Sequence, residues 1–110
     1  MKLSSSLLKG FLSDELERTN RMLLRYSEQL KSYPKGSVYI KKSGKQKYLY
    51  RVHREDNRVI SECLGNVDVI NTEEIFMQSE SRKNIENIIA DLLIEKKDLE
   101  KILRWLMNRK

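Results

Sequence analysis

Apolar residues recur along the chain with two different periods. Between about Ser13 and Ser32 the spacing of Leu12, Leu16, Leu23 and Leu30 is helical, the last three a heptad apart. Ser13 is the expected N-cap, with Asp14 and Glu15 at the positive end of the helix dipole. Asp14–Arg18 and Glu17–Arg21 are spaced as supporting i,i+4 pairs. Leu7, Leu8, Phe11 and Leu12 add an extra turn or two at the N-terminal side, where Gly10 weakens the helix. Pro34 pushes Tyr33 toward extended backbone and stops the helix.

From Pro34 the period falls to two. Three runs of β-type residues are expected: Val38 to Lys42, Gln46 to Arg54 and Arg58 to Leu64. Ser43-Gly44-Lys45 and Glu55-Asp56-Asn57 supply turn chemistry between them, so the runs read as a three-stranded antiparallel meander. Alternation puts Val38, Ile40, Tyr48, Tyr50, Val52, Val59 and Cys63 on one face, the expected core side. Lys41, Lys47, Leu49, Arg51, His53, Ile60, Glu62 and Leu64 share the other face, and a one-residue slip would exchange the two sets.

After Gly65-Asn66 a helical period returns. Asn71 or Thr72 is the expected cap, with Glu74 completing a capping box if Asn71 serves. Ile85, Leu92, Leu99 and Leu106 repeat every seven residues, with Ile88 or Ile89 and Ile102 or Leu103 between them, a seam of the coiled-coil kind. Ser79 and Ser81 are expected to split the region into helices of about 72–78 and 81–108. The organisation is therefore one α+β domain over residues 1–110: a helical arm (1–33), a sheet (34–66) and a long helical region (67–110). The two long helices are expected to pair as an antiparallel hairpin. The interaction stripe Ile85, Ile88, Ile89, Leu92, Leu99 and Leu106 is wider around Ile88, Ile89, Leu92, Leu93 and Ile94 than one seam needs; it could cover the sheet as well as the first helix, or bury against a second copy, and a homodimer is expected.

Composition bounds the chemistry. With 39% hydrophobic and 35% charged residues, the chain of 110 residues is not disordered by composition. One His and one Cys exclude a single-chain Cys/His zinc site and an internal disulfide. A lone Cys63 suits a reducing, cytoplasmic setting. Lys9 and Gly10 interrupt the apolar stretch near the N-terminus, so no secretory signal is expected, and no run reaches the length of a membrane span. His53 has no carboxylate placed by sequence to orient it, the carboxylates of residues 73–100 read as solvated helix faces, and Lys35-Gly36-Ser37 lacks the glycine-rich turn of a phosphate loop. A non-catalytic protein with no metal and no cofactor is expected.

Charge separates the chain further. Residues 31–60 hold nine basic side chains (Lys31, Lys35, Lys41, Lys42, Lys45, Lys47, Arg51, Arg54 and Arg58) against Glu55 and Asp56, a net +7. Residues 61–100 carry a net −6 and residues 101–110 a net +4, within an overall +6. A small sheet with this positive density is suited to a nucleic-acid groove, and duplex DNA is the favoured ligand. The expected contacts are Lys35, Lys41, Lys42, Lys45, Lys47, Arg51, Arg54 and Arg58, with Tyr39, Tyr48 and Tyr50 available for stacking. The plainer alternative is a lysine-rich sheet surface with core tyrosines.

Gly36-Ser37-Val38-Tyr39-Ile40-Lys41-Lys42, Gly44-Lys45, Tyr48-Leu49-Tyr50-Arg51, Arg58, and a helix start near Thr72 with Glu73-Glu74 together resemble the arm-type DNA-binding domain of tyrosine recombinases. The pattern also resembles small helix–sheet–helix proteins of prokaryotic and phage genomes. The resemblance covers about residues 34–75. It implies a three-stranded sheet set in the major groove, with Lys41, Lys42, Lys45, Lys47 and Arg51 as contacts, in a chain from a mobile element or phage. The competing class is a protein-binding helical hairpin: an adaptor, or an inhibitor of a nucleic-acid enzyme of the anti-CRISPR or anti-restriction type, whose −6 helical segment faces a basic partner.

Overall fold

The element order of the computed structural model, which describes residues 5–108, is α1 (Ser5–Leu30), β1 (Ser37–Ser43), β2 (Gln46–Glu55), β3 (Arg58–Asn66) and α2 (Thr72–Asn108). Met1 to Ser4 of the N-terminal stretch, and Arg109 and Lys110 of the basic end, lie outside the described residues. The α+β architecture follows the expectation: a helix, a three-stranded antiparallel sheet in the order β1-β2-β3, and a long C-terminal helix. Among the described residues no helix is long and apolar enough to cross a membrane.

The chain divides into two compact units. One holds the residues up to Leu30 together with those from Ile85 onward, and the other is Lys31–Asn84.

In the helical unit, α1 begins before Ser13, which corrects the expected cap: Ser13 lies inside the helix and its first turn contains no acidic residue. A Cβ at Gly10 would meet nothing within 4 Å, so this glycine costs α1 only its propensity penalty of about 1 kcal/mol. Arg18 pairs with Glu15 at 3.0 Å, not with the expected Asp14, while Arg21 pairs with Glu17 at 3.7 Å as the spacing implies. Leu12, Leu16, Leu23 and Leu30 are half-buried, and the most buried residue of α1 is Thr19, at the centre of their stripe. Its hydroxyl donates to the Glu15 carbonyl oxygen at 2.9 Å, so its polarity is satisfied within the helix.

The heptad seam of α2 is present: Ile85, Leu92, Leu99 and Leu106 are buried. Ile89 and Leu103 are half-buried, whereas Ile88 and Ile102 are exposed. Four of the six stripe residues are therefore covered within one chain, while Ile88, Leu93 and Ile94 in its widest part stay exposed. The expected break at Ser79 and Ser81 is absent, and α2 is continuous over 37 residues. Serine lowers helix propensity only modestly, and the glutamate and arginine on either side of Ser81 favour helix.

The sheet unit is built on two tight hairpins. Gly44-Lys45 joins β1 to β2, with Gly44 at φ 65°, the first-position pattern of a type II′ turn. Asp56-Asn57 joins β2 to β3, with φ values of 48° and 67°, the double left-handed pattern of a type I′ turn. Asn71 caps α2 as expected: its Oδ1 accepts from the Glu74 N–H at 3.2 Å, and its Nδ2 donates to Glu74 Oε2 at 3.2 Å. Glu73 and Glu74 occupy the first turn, where the dipole favours them. Within this unit Arg82 Nη1 donates to the Tyr33 carbonyl oxygen at 2.7 Å, tying α2 to the irregular segment that leads into β1.

Candidate nucleic-acid interface

The strand register decides which side chains share a face. Tyr39 pairs with Tyr50, Lys41 with Tyr48, and Ile40 with Leu49. Tyr50 pairs with Cys63, Val52 with Ser61, and Arg54 with Val59. One face therefore carries Tyr39 and Lys41 from β1, Tyr48, Tyr50, Val52 and Arg54 from β2, and Val59, Ser61 and Cys63 from β3. The opposite face carries Val38, Ile40, Lys42, Lys47, Leu49, Arg51, His53, Arg58, Ile60 and Glu62.

The expected core side is thus corrected twice. Val38 and Ile40 lie opposite the tyrosines, because a two-residue loop, not a three-residue one, connects β1 to β2 and reverses the parity of β1. The face that buries is the one bearing Leu49, which is fully buried, whereas Val59 and Cys63 on the tyrosine face are exposed. A β-bulge at Leu49/Tyr50, opposite Leu64, changes the pairing so that Leu49 faces Gly65. A Cβ at Gly65 would lie 2.9 Å from Ile70 Cγ2, so the segment after β3 closes over the sheet beside Leu49. The Val67 N–H donates to the Lys47 carbonyl oxygen at 3.0 Å and holds that segment in place.

The tyrosine face is open: none of its residues is buried. The Tyr39 and Tyr50 rings stack with centroids 5.6 Å apart and planes 17° from parallel. The Tyr39 hydroxyl is 3.0 Å from Ser61 Oγ, and Ser61 stands on the far strand. The Tyr39 ring consequently reclines across β2 and does not stand off the sheet. Lys41 Nζ lies 6.0 Å from the Tyr50 ring centroid, a cation–π distance. Tyr50 titrates above its ordinary value, first because of the negative charge that Cys63 gains on ionisation, and further through desolvation and the hydrogen bond to Cys63. Its hydroxyl therefore stays neutral through the physiological range.

The expected contact residues separate. Lys41 and Arg54 project from the tyrosine face and Lys45 sits at the tip of the first hairpin, whereas Lys42, Lys47, Arg51 and Arg58 belong to the opposite face. Lys35 lies before β1 and lines a cleft with Arg51, His53, Glu55 and Glu62, whose lining Arg54 also reaches from the end of β2. Both carboxylates of the strands, Glu55 and Glu62, fall on the opposite face. Sequence reading found no carboxylate near His53, but β2 alternation brings Glu55 Oε2 to 3.7 Å from His53 Nε2, while His53 Nδ1 is buried with no hydrogen-bond partner. The i,i+2 spacing of the two residues on one strand was the available signal.

No family model, curated protein or solved structure matches the chain, so the functional reading rests on this geometry.

Proposed function

We propose that this protein binds nucleic acid without catalysis, through the open face of its sheet. The observation that carries this reading is the sorting of charge by register: Lys41 and Arg54 share a face with three tyrosines, and that face has no carboxylate. A polyanion meets cations there without repulsion from Glu55 or Glu62, and Lys45 extends the positive rim at the hairpin tip. The resemblance to the arm-type domain supports the same reading, since a sheet followed by a helix is its binding unit.

Titration of labelled duplex and single strands at two salt concentrations tests it. Binding is expected to weaken steeply with salt. Lys41→Glu with Arg54→Glu should remove two phosphate contacts and make the log–log salt slope shallower by roughly 1.4–1.8. Lys42→Glu with Lys47→Glu, on the other face, should change affinity far less. Greater loss from that second pair would overturn the assignment of the face, and no binding at low salt would overturn nucleic-acid binding itself.

The helical unit supports a second reading, as a protein-binding arm in which α1 and α2 pair as an antiparallel hairpin. On α2, Ile94, Ile102 and Trp105 are exposed although large and apolar, and a second copy of the chain is the partner this reading takes first. Sedimentation should then give a dimer mass that Trp105→Glu reduces to a monomer. A monomer at high protein concentration in the unaltered chain rejects self-association.

A further inference from the structure

The open face has an uneven composition. Its centre is aromatic and aliphatic (Tyr39, Tyr48, Tyr50 and Val52), and its cations, Lys41 and Arg54, stand toward opposite ends of β2. Arg54 is six positions along β2 from Tyr48, the partner of Lys41, a span of about 20 Å along an extended strand. A sheet that reads a duplex in the major groove presents donors and acceptors to base edges. Here the middle of the face presents ring surfaces. In a duplex the flat faces of the bases are stacked on one another, so rings of this kind find no partner there. In a single strand those faces are free.

Resting on the nucleic-acid reading above, we infer that the ligand of this face is a single strand, whose bases stack on the Tyr39–Tyr50 pair while Lys41 and Arg54 hold its phosphates.

Three features of the geometry fit this ligand. The Tyr39 ring is laid over β2 by its contact with Ser61 and lies parallel to the Tyr50 ring, so the aromatic surface is held on the sheet and not carried by a freely moving side chain. The stacked pair is fixed before binding, which lowers the entropy lost when a base joins it. Lys41, at 6.0 Å from the Tyr50 ring centroid, sets a cation beside the platform, where the phosphate next to a stacked base would lie. Aromatic surface bordered by cations is the pattern by which proteins bind single strands with little regard to sequence.

Fluorescence anisotropy with roughly 12-nucleotide pyrimidine strands, as DNA and as RNA, and with the corresponding duplexes, decides the matter. A single strand is expected to bind about tenfold tighter than its duplex, and the tighter of the two single strands names the polymer. Tyr39→Ala should weaken single-strand binding by about 5- to 150-fold and leave the weaker duplex binding unchanged. Tyr39→Phe, which keeps the ring but loses the Ser61 contact that lays it over β2, should weaken single-strand binding less than Tyr39→Ala does. Amide hydrogen exchange of β1–β3 in each variant confirms that the sheet is intact. Equal or tighter binding of duplex, or single-strand affinity unaffected by Tyr39→Ala and Tyr50→Ala but reduced by Lys41→Glu, would overturn the stacking inference and leave nucleic-acid binding standing. Failure of every strand and duplex to bind at low salt would remove both.

Discussion

Gly36→Ala is expected to destabilise the sheet unit by about 3 kcal/mol or more, a large effect for one added methyl group. Gly36 has φ of 101°, a conformation that L side chains rarely adopt. A Cβ built there would lie 2.2 Å from the Val52 carbonyl oxygen and 2.9 Å from His53 Cβ. The obstacle is thus backbone of the central strand, which cannot rotate away as the end of a side chain would. Ser37, the next residue, pairs with Val52, so the displacement falls on the first rung of the β1–β2 ladder. Gly44→Ala provides the control. Gly44 also has positive φ, 65°, but a Cβ there would meet nothing within 4 Å. That change should cost only the left-handed penalty of about 1 kcal/mol. In thermal melts the Gly44 variant should fall by about 4–8 °C and the Gly36 variant by about 12 °C or more. Equal shifts would show that the close approach at Gly36 imposes no constraint beyond its dihedral angle.

The contrast between these glycines illustrates what is legible in the sequence. Gly44 and Asp56-Asn57 announce turns by residue type, and both turns form. Loop length is not announced: Ser43-Gly44-Lys45 reads naturally as three residues, yet Ser43 pairs with Gln46 as the last rung of the ladder. That single residue moves Tyr39 and Lys41 to the side of Tyr48 and Tyr50, and Val38 and Ile40 to the side of Leu49. The positive charge of residues 31–60 is plain in the sequence, but its division between faces exists only once the register is known. Helix existence was likewise legible from the leucine and isoleucine spacing, and so was the Asn71 cap of α2, while the start of α1 was not. Ser13 has the chemistry of a cap, yet a serine inside a helix has the same letter, and only the backbone decides. Thr19 lies in the buried stripe of α1 without being apolar, because its hydroxyl is satisfied by the Glu15 carbonyl oxygen.

Leu49→Ala should be the most damaging truncation in the sheet, costing about 2–5 kcal/mol. Leu49 is fully buried on the central strand, between Ile40 on β1 and Gly65 on β3, with Ile70 lying over the glycine. Gly65 has no side chain with which to fill the space that the lost methyl groups would leave. A small unit has little reserve stability, so a loss of this size removes much of its folded population. Ile40→Ala is the comparison, since Ile40 pairs directly with Leu49 and points to the same side but is 47% exposed. It should cost only about 1 kcal/mol. Leu49→Met, which conserves volume, should stay within about 1.5 kcal/mol of the unaltered protein. The consequence for function follows from the register. Leu49 does not belong to the open face, yet its loss should abolish strand binding at temperatures where Ile40→Ala and Leu49→Met still bind, because Tyr39, Tyr50 and Ser61 come from three different strands and meet only while all three are paired. Nucleic-acid binding measured across a temperature series, beside amide hydrogen exchange of β1–β3 as the monitor of strand pairing, should show the two signals lost together in Leu49→Ala. Binding that outlasts the sheet would mean that the tyrosine platform is not what holds the strand.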